Sequence, residues 1–257
     1  MGLDLFALDL KSVEATMGQL GWPRYRARQI FRWIHQARVR EFERMTDLSR
    51  SERDRLRSIA EIGRSRHTRV QRSVDGTRKF LFELEDGRMV ESVLIPDADR
   101  LTLCLSTQVG CTLDCAFCLT GQMGLHRNLK PHEIVDQVLT VQDHLDDGTR
   151  LTNLVFMGMG EPLANLDALV ESIARLTNRT WGLGFSPRRI TISTAGLANR
   201  LKEVAGLGVN LAVSLNASTD AQRTRLMPAV NRLSPLKELL ASCRRYPLPP
   251  GKRLTFE

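Results

Sequence analysis

Three closely spaced cysteines, Cys111, Cys115 and Cys118, are the residues of this chain best suited to unusual chemistry. They form the pattern C-x3-C-x2-C shortly after an apolar run at residues 101–106. Four cysteines complete the coordination of a four-iron cluster, which then mostly carries electrons. Three cysteines leave one iron open, and an open iron can bind a substrate. The spacing therefore predicts a [4Fe–4S] cluster that does chemistry on a bound ligand.

Zinc binding and disulfide bonding are the alternative uses of clustered cysteines. Cys115 and Cys118 have the C-x2-C spacing of half a zinc site, but such sites usually have four ligands. The sequence contains no second C-x2-C pair and no H-x3-H pair. Disulfide frameworks are typical of small secreted proteins, and the acidic start of this chain differs from a basic secretory signal. The iron–sulfur interpretation is favoured over both.

Composition limits the class of protein. The chain has 257 residues, 42% of them hydrophobic, which suffices for one large domain with or without a small accessory domain. No apolar run approaches the roughly 20 residues that a membrane helix needs. Five cysteines without a secretory signal favour a reducing compartment, so we expect a cytoplasmic protein without a membrane segment.

The positive charge is concentrated at the N-terminus. The net charge is +8, and residues 1–73 contain 16 Lys and Arg against 9 Asp and Glu. The remaining residues are nearly balanced. A basic surface of this kind is typical of phosphate binding, whereas the simpler alternative is a solvated helical surface. We interpret the N-terminal region as an RNA-contacting domain.

The first 66 residues predict a basic helical domain. Ser12 is suited to cap one helix that ends near Gly21, and Pro23 suits the first turn of a second. Thr46 or Asp47 is expected to cap a third. Residues 67–98 predict a β-hairpin connector, because two strand-like segments at 78–84 and 88–95 flank a turn sequence at 85–87.

Residues 99–257 alternate between strand and helix patterns, which predicts an α/β fold of parallel βαβ units. Strands are predicted at 101–106, 152–157, 188–193, 209–214 and 252–256, and helices at 131–146, 166–177, 197–206 and 233–245. In a parallel barrel, reactive residues gather at the carboxyl ends of the strands. The cysteine cluster and the polar segments at 158–162, 193–196 and 214–216 each follow a predicted strand, so we expect them to form one site.

Four segments resemble the RlmN family of the radical S-adenosylmethionine (SAM) superfamily. They are C-L-S-T-Q-V-G-C at 104–111, G-L-H-R-N-L at 124–129, M-G-M-G-E-P-L at 157–163 and R-I-T-I-S-T-A-G at 189–196. Phe117, before the last cysteine, is also typical of the superfamily. The resemblance implies a methyltransferase for adenine C2 in 23S rRNA and tRNA. The sister family Cfr, which modifies C8 of the rRNA adenosine, shares these motifs.

The resemblance implies the cofactor site. Cys111, Cys115 and Cys118 would ligate the cluster, and SAM would bind the open iron through its amino and carboxylate groups. A carboxylate such as Glu161 can accept hydrogen bonds from an ammonium group, and Gly160 permits close backbone approach. The residues expected to contact SAM are Gly160, Glu161, Ser193, Ser214, Leu215 and Asn216.

Two further residues take catalytic roles by resemblance. Glu91 would accept the proton from the adenine carbon, although a lone strand glutamate is ordinarily a solvent-facing residue. Cys104 would be a resolving thiol that forms a transient disulfide, although a buried strand cysteine is usually part of the core. A third interpretation makes Cys104 a fourth cluster ligand, which would leave SAM no open iron.

The family mechanism implies several partners. A first SAM methylates a C-terminal cysteine, and one electron from a flavodoxin-type or other donor cleaves a second SAM to a 5′-deoxyadenosyl radical. That radical abstracts hydrogen from the methyl group, and the resulting methylene radical adds to the adenine carbon. The expected substrates are 23S rRNA and tRNA, and the protein is expected to be a monomer.

The chain departs from the family pattern near its end. The methyl-carrying cysteine of the family lies beyond the motifs matched here, and the sequence stops at Glu257 within the fifth predicted strand. We therefore expect a partial (β/α) radical-SAM barrel, incomplete at its last strand, that binds a cluster without methylating RNA. Cys243 lies in a predicted helix and is interpreted as a core residue. The alternatives are a C8 methyltransferase and a catalytically silent RNA-binding fragment.

Overall fold

An eight-stranded mixed sheet organises the structure, a computed structural model that describes residues 2–248 and 252–257, without the side chains of residues 66–68. The strands are β1 (Leu3–Asp4), β2 (Ala60–Glu61), β3 (Arg66–Arg72), β4 (Arg78–Glu83), β5 (Met89–Asp97), β6 (Arg100–Cys104), β7 (Gln108–Gly110), β8 (Leu125–Asn128), β9 (Asn153–Phe156), β10 (Ile190–Thr194), β11 (Asn210–Val213) and β12 (Leu254–Phe256). The helices are α1 (Leu10–Gln19), α2 (Tyr25–His35), α3 (Arg50–Ile59), α4 (Leu119–Gln122), α5 (Pro131–Asp143), α6 (Leu166–Thr177), α7 (Leu201–Ala205), α8 (Asp220–Leu226), α9 (Pro228–Leu233) and α10 (Leu236–Arg244).

Five parallel strands form one half of the large sheet. The strand order is β12-β11-β10-β9-β6-β5-β4-β3, with β6 and β9 to β12 parallel. Helices connect these strands, so the predicted α/β class is confirmed. The five strand predictions each agree with the structure to within two residues at either end. Among the described residues the sheet remains open, with β12 and β3 at its edges.

The predicted hairpin connector is a three-stranded antiparallel extension of the same sheet. β4 and β5 match the predicted pair, but β3 adds a strand that the sequence analysis did not predict. β5 also pairs with β6, which joins the antiparallel and parallel parts of the sheet directly. The connector is therefore continuous with the barrel sheet.

The N-terminal helices form as predicted, but two of the expected caps are wrong. Asp9, rather than Ser12, caps α1, because its Oδ1 accepts a hydrogen bond from the Ser12 backbone N–H at 2.6 Å. Ser49, rather than Thr46 or Asp47, caps α3 through a reciprocal capping box with Glu52. The observed cap lies three residues before the predicted one in α1 and two or three residues after it in α3, and in both helices its side-chain oxygen accepts a backbone N–H in the same way.

Two buried arginines join the N-terminal region to the barrel. Arg175 on α6 donates hydrogen bonds to the carbonyl oxygens of Phe6 and Leu8, both at 2.8 Å. Arg64 forms an ion pair with Asp136 on α5, and both side chains are only 1% exposed. Because each guanidinium crosses between the two regions, their relative placement depends on buried polar contacts as well as apolar packing.

One face of the sheet carries the residues of functional interest. Strand register places Val93 on β5 opposite Cys104 on β6, and Cys104 opposite Val155 on β9. Side chains alternate between the two faces of a strand, so Glu91 shares this face with Cys104. The opposite face packs on the helices, as the hydrogen bond from Ser92 Oγ to Gln137 Oε1 on α5 at 2.5 Å illustrates.

No helix among the described residues combines the length and apolarity that a membrane crossing requires.

Replacement of Asp136 by Ala should strongly destabilise the fold, because it removes the buried carboxylate of the pair and leaves the Arg64 guanidinium only the partly exposed Asp143, at 3.4 Å. The expected loss is about 3–5 kcal/mol in the free energy of unfolding, measured by urea denaturation.

Asp97→Ala provides the matched control. Asp97 pairs with Arg100 across a largely exposed contact, and such pairs contribute no more than about 1 kcal/mol. Equal losses in the two variants would contradict the role assigned to the buried pair.

Candidate functional site

A small antiparallel hairpin presents the three cysteines. β7 and β8 pair with each other, and the cysteines lie in the connection between them. Gly110 ends β7 with a φ of +78°, and a Cβ at this position would overlap the Gly124 carbonyl oxygen. The Cys111 backbone N–H donates to that same oxygen at 3.1 Å. The glycine thus allows the two ends of the cysteine loop to meet. The sequence analysis did not predict this hairpin.

Helices α8 and α9 hold the cysteine loop from the other side. The Ala116 N–H donates to the Leu226 carbonyl at 2.8 Å, and Asp114 Oδ1 accepts from the Ala229 N–H at 2.9 Å. Leu113 packs with Met227 and Val230 in a small apolar cluster that also contacts Cys111 and Cys115. These contacts fix the position of the cysteine loop against α8 and α9.

The three cysteines open onto a cavity of about 260 Å³ at the carboxyl ends of the strands. Eight of the predicted site residues line this cavity. The predicted residues in its wall are Cys111, Cys115, Cys118, Gly160, Glu161, Ser193, Ser214 and Asn216. Leu215 does not face this cavity, and its backbone N–H donates to the Glu257 carbonyl at 2.8 Å.

The donor set suits a multi-iron cluster better than a single metal ion. Among the described residues, no three His, Cys, Asp or Glu side chains lie close enough together to bind one ion. In a cluster each thiolate binds a different iron, so the sulfur atoms need not converge on a point. Burial raises the pKa of Cys111, and raises that of Cys115 to about 11. Ligation requires the thiolate form, so cluster binding must displace protons.

Glycines allow the segment after β9 to approach the cysteine hairpin. Gly160 has a φ of +98°, and a Cβ there would lie 2.5 Å from the Gln108 Cβ. A Cβ on Gly158 would lie 2.7 Å from the Leu105 carbonyl oxygen. Any other residue at either position would push the cavity wall away from β6 and β7.

The Glu161 side chain is buried and connects the segment after β9 with the end of β10. Its Oε1 accepts from the Thr194 hydroxyl at 2.7 Å and the Leu163 N–H at 3.1 Å, and its Oε2 accepts from the Ala195 N–H at 2.8 Å. Burial raises the pKa of its carboxyl group, although these hydrogen bonds act in the opposite direction. A carboxylate can accept about four hydrogen bonds, so one position remains for a ligand.

Gln108 is a site residue that the sequence analysis missed. Its side-chain amide donates to Thr112 Oγ1 at 2.9 Å and Asn128 Oδ1 at 2.8 Å, and its carbonyl oxygen accepts from the Glu161 N–H at 2.9 Å. It therefore links the cysteine loop, β8 and the segment after β9. Its position inside the resemblance segment at 104–111 was the only available signal.

Glu257 is a second site residue that was not predicted, and it lies within hydrogen-bond distance of two predicted residues. The hydroxyl oxygens of Ser193 and Ser214 lie 3.3 Å apart, and each lies 3.3 Å from Glu257 Oε2. Asn216 adopts the left-handed region with a φ of +56° and directs its amide toward Met227 Sδ at 3.5 Å. This part of the wall combines hydroxyl, carboxylate and amide groups, which suit a polar ligand.

Glu91 and Cys104 lie outside the cavity wall, on the open face of the sheet. Glu91 Oε1 lies 3.0 Å from Lys79 Nζ, and the two side chains are 40% and 42% exposed. Burial raises the pKa of Cys104 to about 11, so the thiol is protonated at neutral pH. All five cysteines, which lie within the described residues, are free, so the disulfide expected of Cys104 is absent from this structure. Cys243 is buried on α10 in the main core.

Comparisons with known proteins cover nearly the whole chain. The model of the ribosomal RNA large subunit methyltransferase N-terminal domain matches residues 3–62, and that of the radical SAM superfamily matches residues 105–255. A dual-specificity RNA methyltransferase RlmN from Syntrophus aciditrophicus is 47% identical over 97% of this chain and 72% of the relative. One from Syntrophobacter fumaroxidans is 50% identical over 96% and 72%.

A solved structure is also similar. The crystal structure of a radical SAM methyltransferase from Sphaerobacter thermophilus matches with a TM-score of 0.90 at 41% identity. The match covers 99% of this chain and 75% of that one.

The Glu161→Gln variant should lose a pH-dependent part of the stability. The raised pKa means that the folded state favours the protonated carboxyl group. Its contribution to the free energy of unfolding is thus complete below the unfolded pKa, about 4.5, and declines as pH rises through the higher folded pKa. In urea denaturation at a series of pH values, the advantage of the unaltered protein over Glu161→Gln should shrink as pH rises.

Glu43→Gln is the control with the opposite sign. Hydrogen bonds with the backbone and with Arg57 lower the pKa of this exposed carboxyl group. The advantage of the unaltered protein over Glu43→Gln should therefore grow as pH rises. An advantage over Glu161→Gln that also grew with pH would contradict the raised pKa.

Proposed function

Because the chain belongs to the RlmN family of radical SAM enzymes, we propose that it acts in the methylation of adenosine C2 in 23S rRNA and tRNA. The cofactors of the family are a [4Fe–4S] cluster and SAM. One observation carries the proposal. Cys111, Cys115 and Cys118 open onto the same cavity as five of the six residues expected to contact SAM.

The chain's own residues fit both cofactors. The three thiolates would bind three irons, and the adjoining cavity provides space for a ligand of the fourth. When bound, the cluster and SAM supply the one-electron chemistry that methylation of an unactivated aromatic carbon requires. Glu161 offers one free acceptor position, and the Ser193, Ser214 and Glu257 side chains offer further polar contacts.

Glu91 and Cys104 are suited to the later steps at the substrate. Glu91 is accessible on the open face of the sheet, where its carboxylate can accept a proton from the adenine carbon. Lys79 orients that carboxylate through a contact at 3.0 Å. Cys104 lies on the neighbouring strand of the same face, and its thiol is held protonated by burial until a base is available.

The proposed partners are RNA and a one-electron donor. The RNA substrates are 23S rRNA and tRNA, and a flavodoxin-type or other one-electron donor in the cytosol would supply the electron. Many N-terminal arginines are neutralised within the protein, for example Arg32 by Asp47 and Arg57 by Glu43. Arg24 is the N-cap residue of α2, and Arg28 lies on the exposed face of that helix, where it meets Glu14 only at 3.8 Å. Arg28 and Tyr25 line a shallow cavity of about 270 Å³. We place the RNA contact there.

Two alternative functions remain separable by experiment. A C8 methyltransferase would share the motifs used here, and only the site of the methyl group in the product RNA distinguishes it. A silent RNA-binding protein would assemble no cluster and cleave no SAM. The names of the matched relatives favour the RlmN activity.

The cluster assignment predicts different results for two cysteines. After anaerobic reconstitution, Cys115→Ala should lose most of its cluster iron and all formation of 5′-deoxyadenosine from SAM. Cys104→Ala should retain both, because Cys104 lies on the sheet face outside the cavity wall. Iron content, the visible absorbance of the cluster and chromatography of the nucleoside provide the measurements.

Loss of iron in Cys104→Ala would instead support the interpretation of Cys104 as a fourth ligand. Wild-type protein that held no cluster, or that released no 5′-deoxyadenosine under reduction, would refute the proposed function.

The proposed RNA contact predicts that RNA binding becomes less dependent on salt concentration when the arginines are removed. The double variant Arg24→Gln/Arg28→Gln should bind rRNA and tRNA fragments more weakly, irrespective of their sequence. Each lost phosphate contact should reduce the slope of log affinity against log salt by about 0.7–0.9.

The matched control is Lys202→Gln/Lys237→Gln, which removes two exposed charges from α7 and α10. This control should bind RNA as the unaltered protein does. An equal loss of RNA affinity in both double variants would show that net charge causes the effect. It would contradict the assignment of the RNA contact to the surface around Arg24 and Arg28.

A further inference from the structure

Arg223 is a fully buried arginine whose surroundings differ from those of the other buried arginines. Arg64 pairs with Asp136 and Arg175 pairs with Glu171. Arg223 is 0% exposed, yet no carboxylate among the described residues lies within ion-pair distance of it. A guanidinium is charged at all ordinary pH values, and buried charges are normally paired. The described residues around Arg223 therefore provide no carboxylate that balances its positive charge.

Neutral groups satisfy only part of this side chain. One Nη donates to the Ser234 carbonyl at 2.8 Å and Asn231 Oδ1 at 3.2 Å, and the other donates to the Ala195 carbonyl at 2.6 Å. Its Nε has no hydrogen-bond partner. These contacts fix the orientation of the guanidinium but do not balance its charge.

Arg223 lies directly behind the cofactor cavity. Ala195, whose carbonyl it contacts, is part of the cavity wall and donates its N–H to Glu161. The helix that carries Arg223 also contacts the cysteine loop, because its last residue, Leu226, accepts the Ala116 N–H at 2.8 Å, and the three cysteines line the same cavity as Ala195. Asp220 is exposed to solvent, so thiolates ligating a cluster would be the buried source of negative charge on this side of Arg223.

We propose that Arg223 is a positioning residue of the cofactor pocket whose buried charge is balanced by the cysteine-ligated cluster and raises the reduction potential of that cluster. The inference rests on the proposed function, because it requires the cluster at Cys111, Cys115 and Cys118. One-electron reduction by the donor adds a negative charge to the cluster. A fixed positive charge in a medium of low dielectric constant stabilises the reduced form more than the oxidised form.

The test is a potentiometric titration of the reconstituted 257-residue chain, in which the EPR signal of the reduced cluster reports the reduced fraction. Arg223→Met should lower the midpoint potential by about 59 mV, a tenfold fall in the equilibrium constant for one-electron reduction. Arg223→Lys retains the charge and should remain close to the unaltered protein. Arg225→Met, which removes an exposed charge from the same helix, should leave the potential unchanged because water screens that charge.

An unchanged midpoint in Arg223→Met, or an equal shift in Arg225→Met, would overturn the inference while leaving the proposed function intact. Absence of a cluster from the unaltered protein would instead refute the proposed function.

Arg223→Gln covers the case in which Arg223→Met fails to fold. It removes the charge while its side-chain amide can still donate to the Ser234 or Ala195 carbonyl. The midpoint potential should fall as in Arg223→Met, and an unchanged or raised potential would overturn the inference.

Discussion

The hydrogen bonds of the buried Glu161 carboxylate hold together the segments that follow β9 and β10 at the carboxyl ends of the strands. Glu161 accepts hydrogen bonds from Leu163, Thr194 and Ala195, and its own N–H donates to Gln108. Strand pairing ends before this point, so these bonds determine how the segments after β9 and β10 lie relative to each other. A buried acceptor without its donors costs about 1–3 kcal/mol, and more when the group is charged. The segments after β9 and β10 are therefore expected to keep their positions relative to each other.

The polar network extends outward from Glu161 in both directions. Through Gln108 it reaches Thr112 in the cysteine loop, and through Ala195 it reaches Arg223 on α8. Helices α8 and α9 then return to the cysteine loop through Leu226 and Ala229. These contacts form a closed ring, which explains how a loop of largely irregular backbone directs three thiols toward one cavity. Gly110, Gly158 and Gly160 allow these segments to approach one another to van der Waals distance.

The parts that the sequence predicted well are those determined by local pattern. The alternation of strands and helices follows from short-range periodicity, and the site segments were located because each follows a strand. Gln108 and Arg223 escaped prediction because their importance comes from contacts with segments distant in sequence. An arginine two residues from another arginine in a polar helix looks exposed, and only the fold buries it. The direct pairing of β5 with β6 was missed because a hairpin pattern does not specify which neighbour its second strand will join.

The pairing of β5 with β6 also has a consequence for how RNA is approached. Glu91 lies on β5, and the strands that carry the cofactor cavity continue from β6 in the same hydrogen-bonded sheet. Strands in a hydrogen-bonded ladder cannot slide without breaking it, so the sheet fixes the distance from the backbone of Glu91 to the cavity. If Glu91 has the proposed role, the nucleotide would have to leave its stack and turn toward the sheet. Extrusion costs a few kcal/mol in a duplex and least where a base is already unpaired. Choice among adenosines would thus depend partly on the mechanical compliance of the RNA itself.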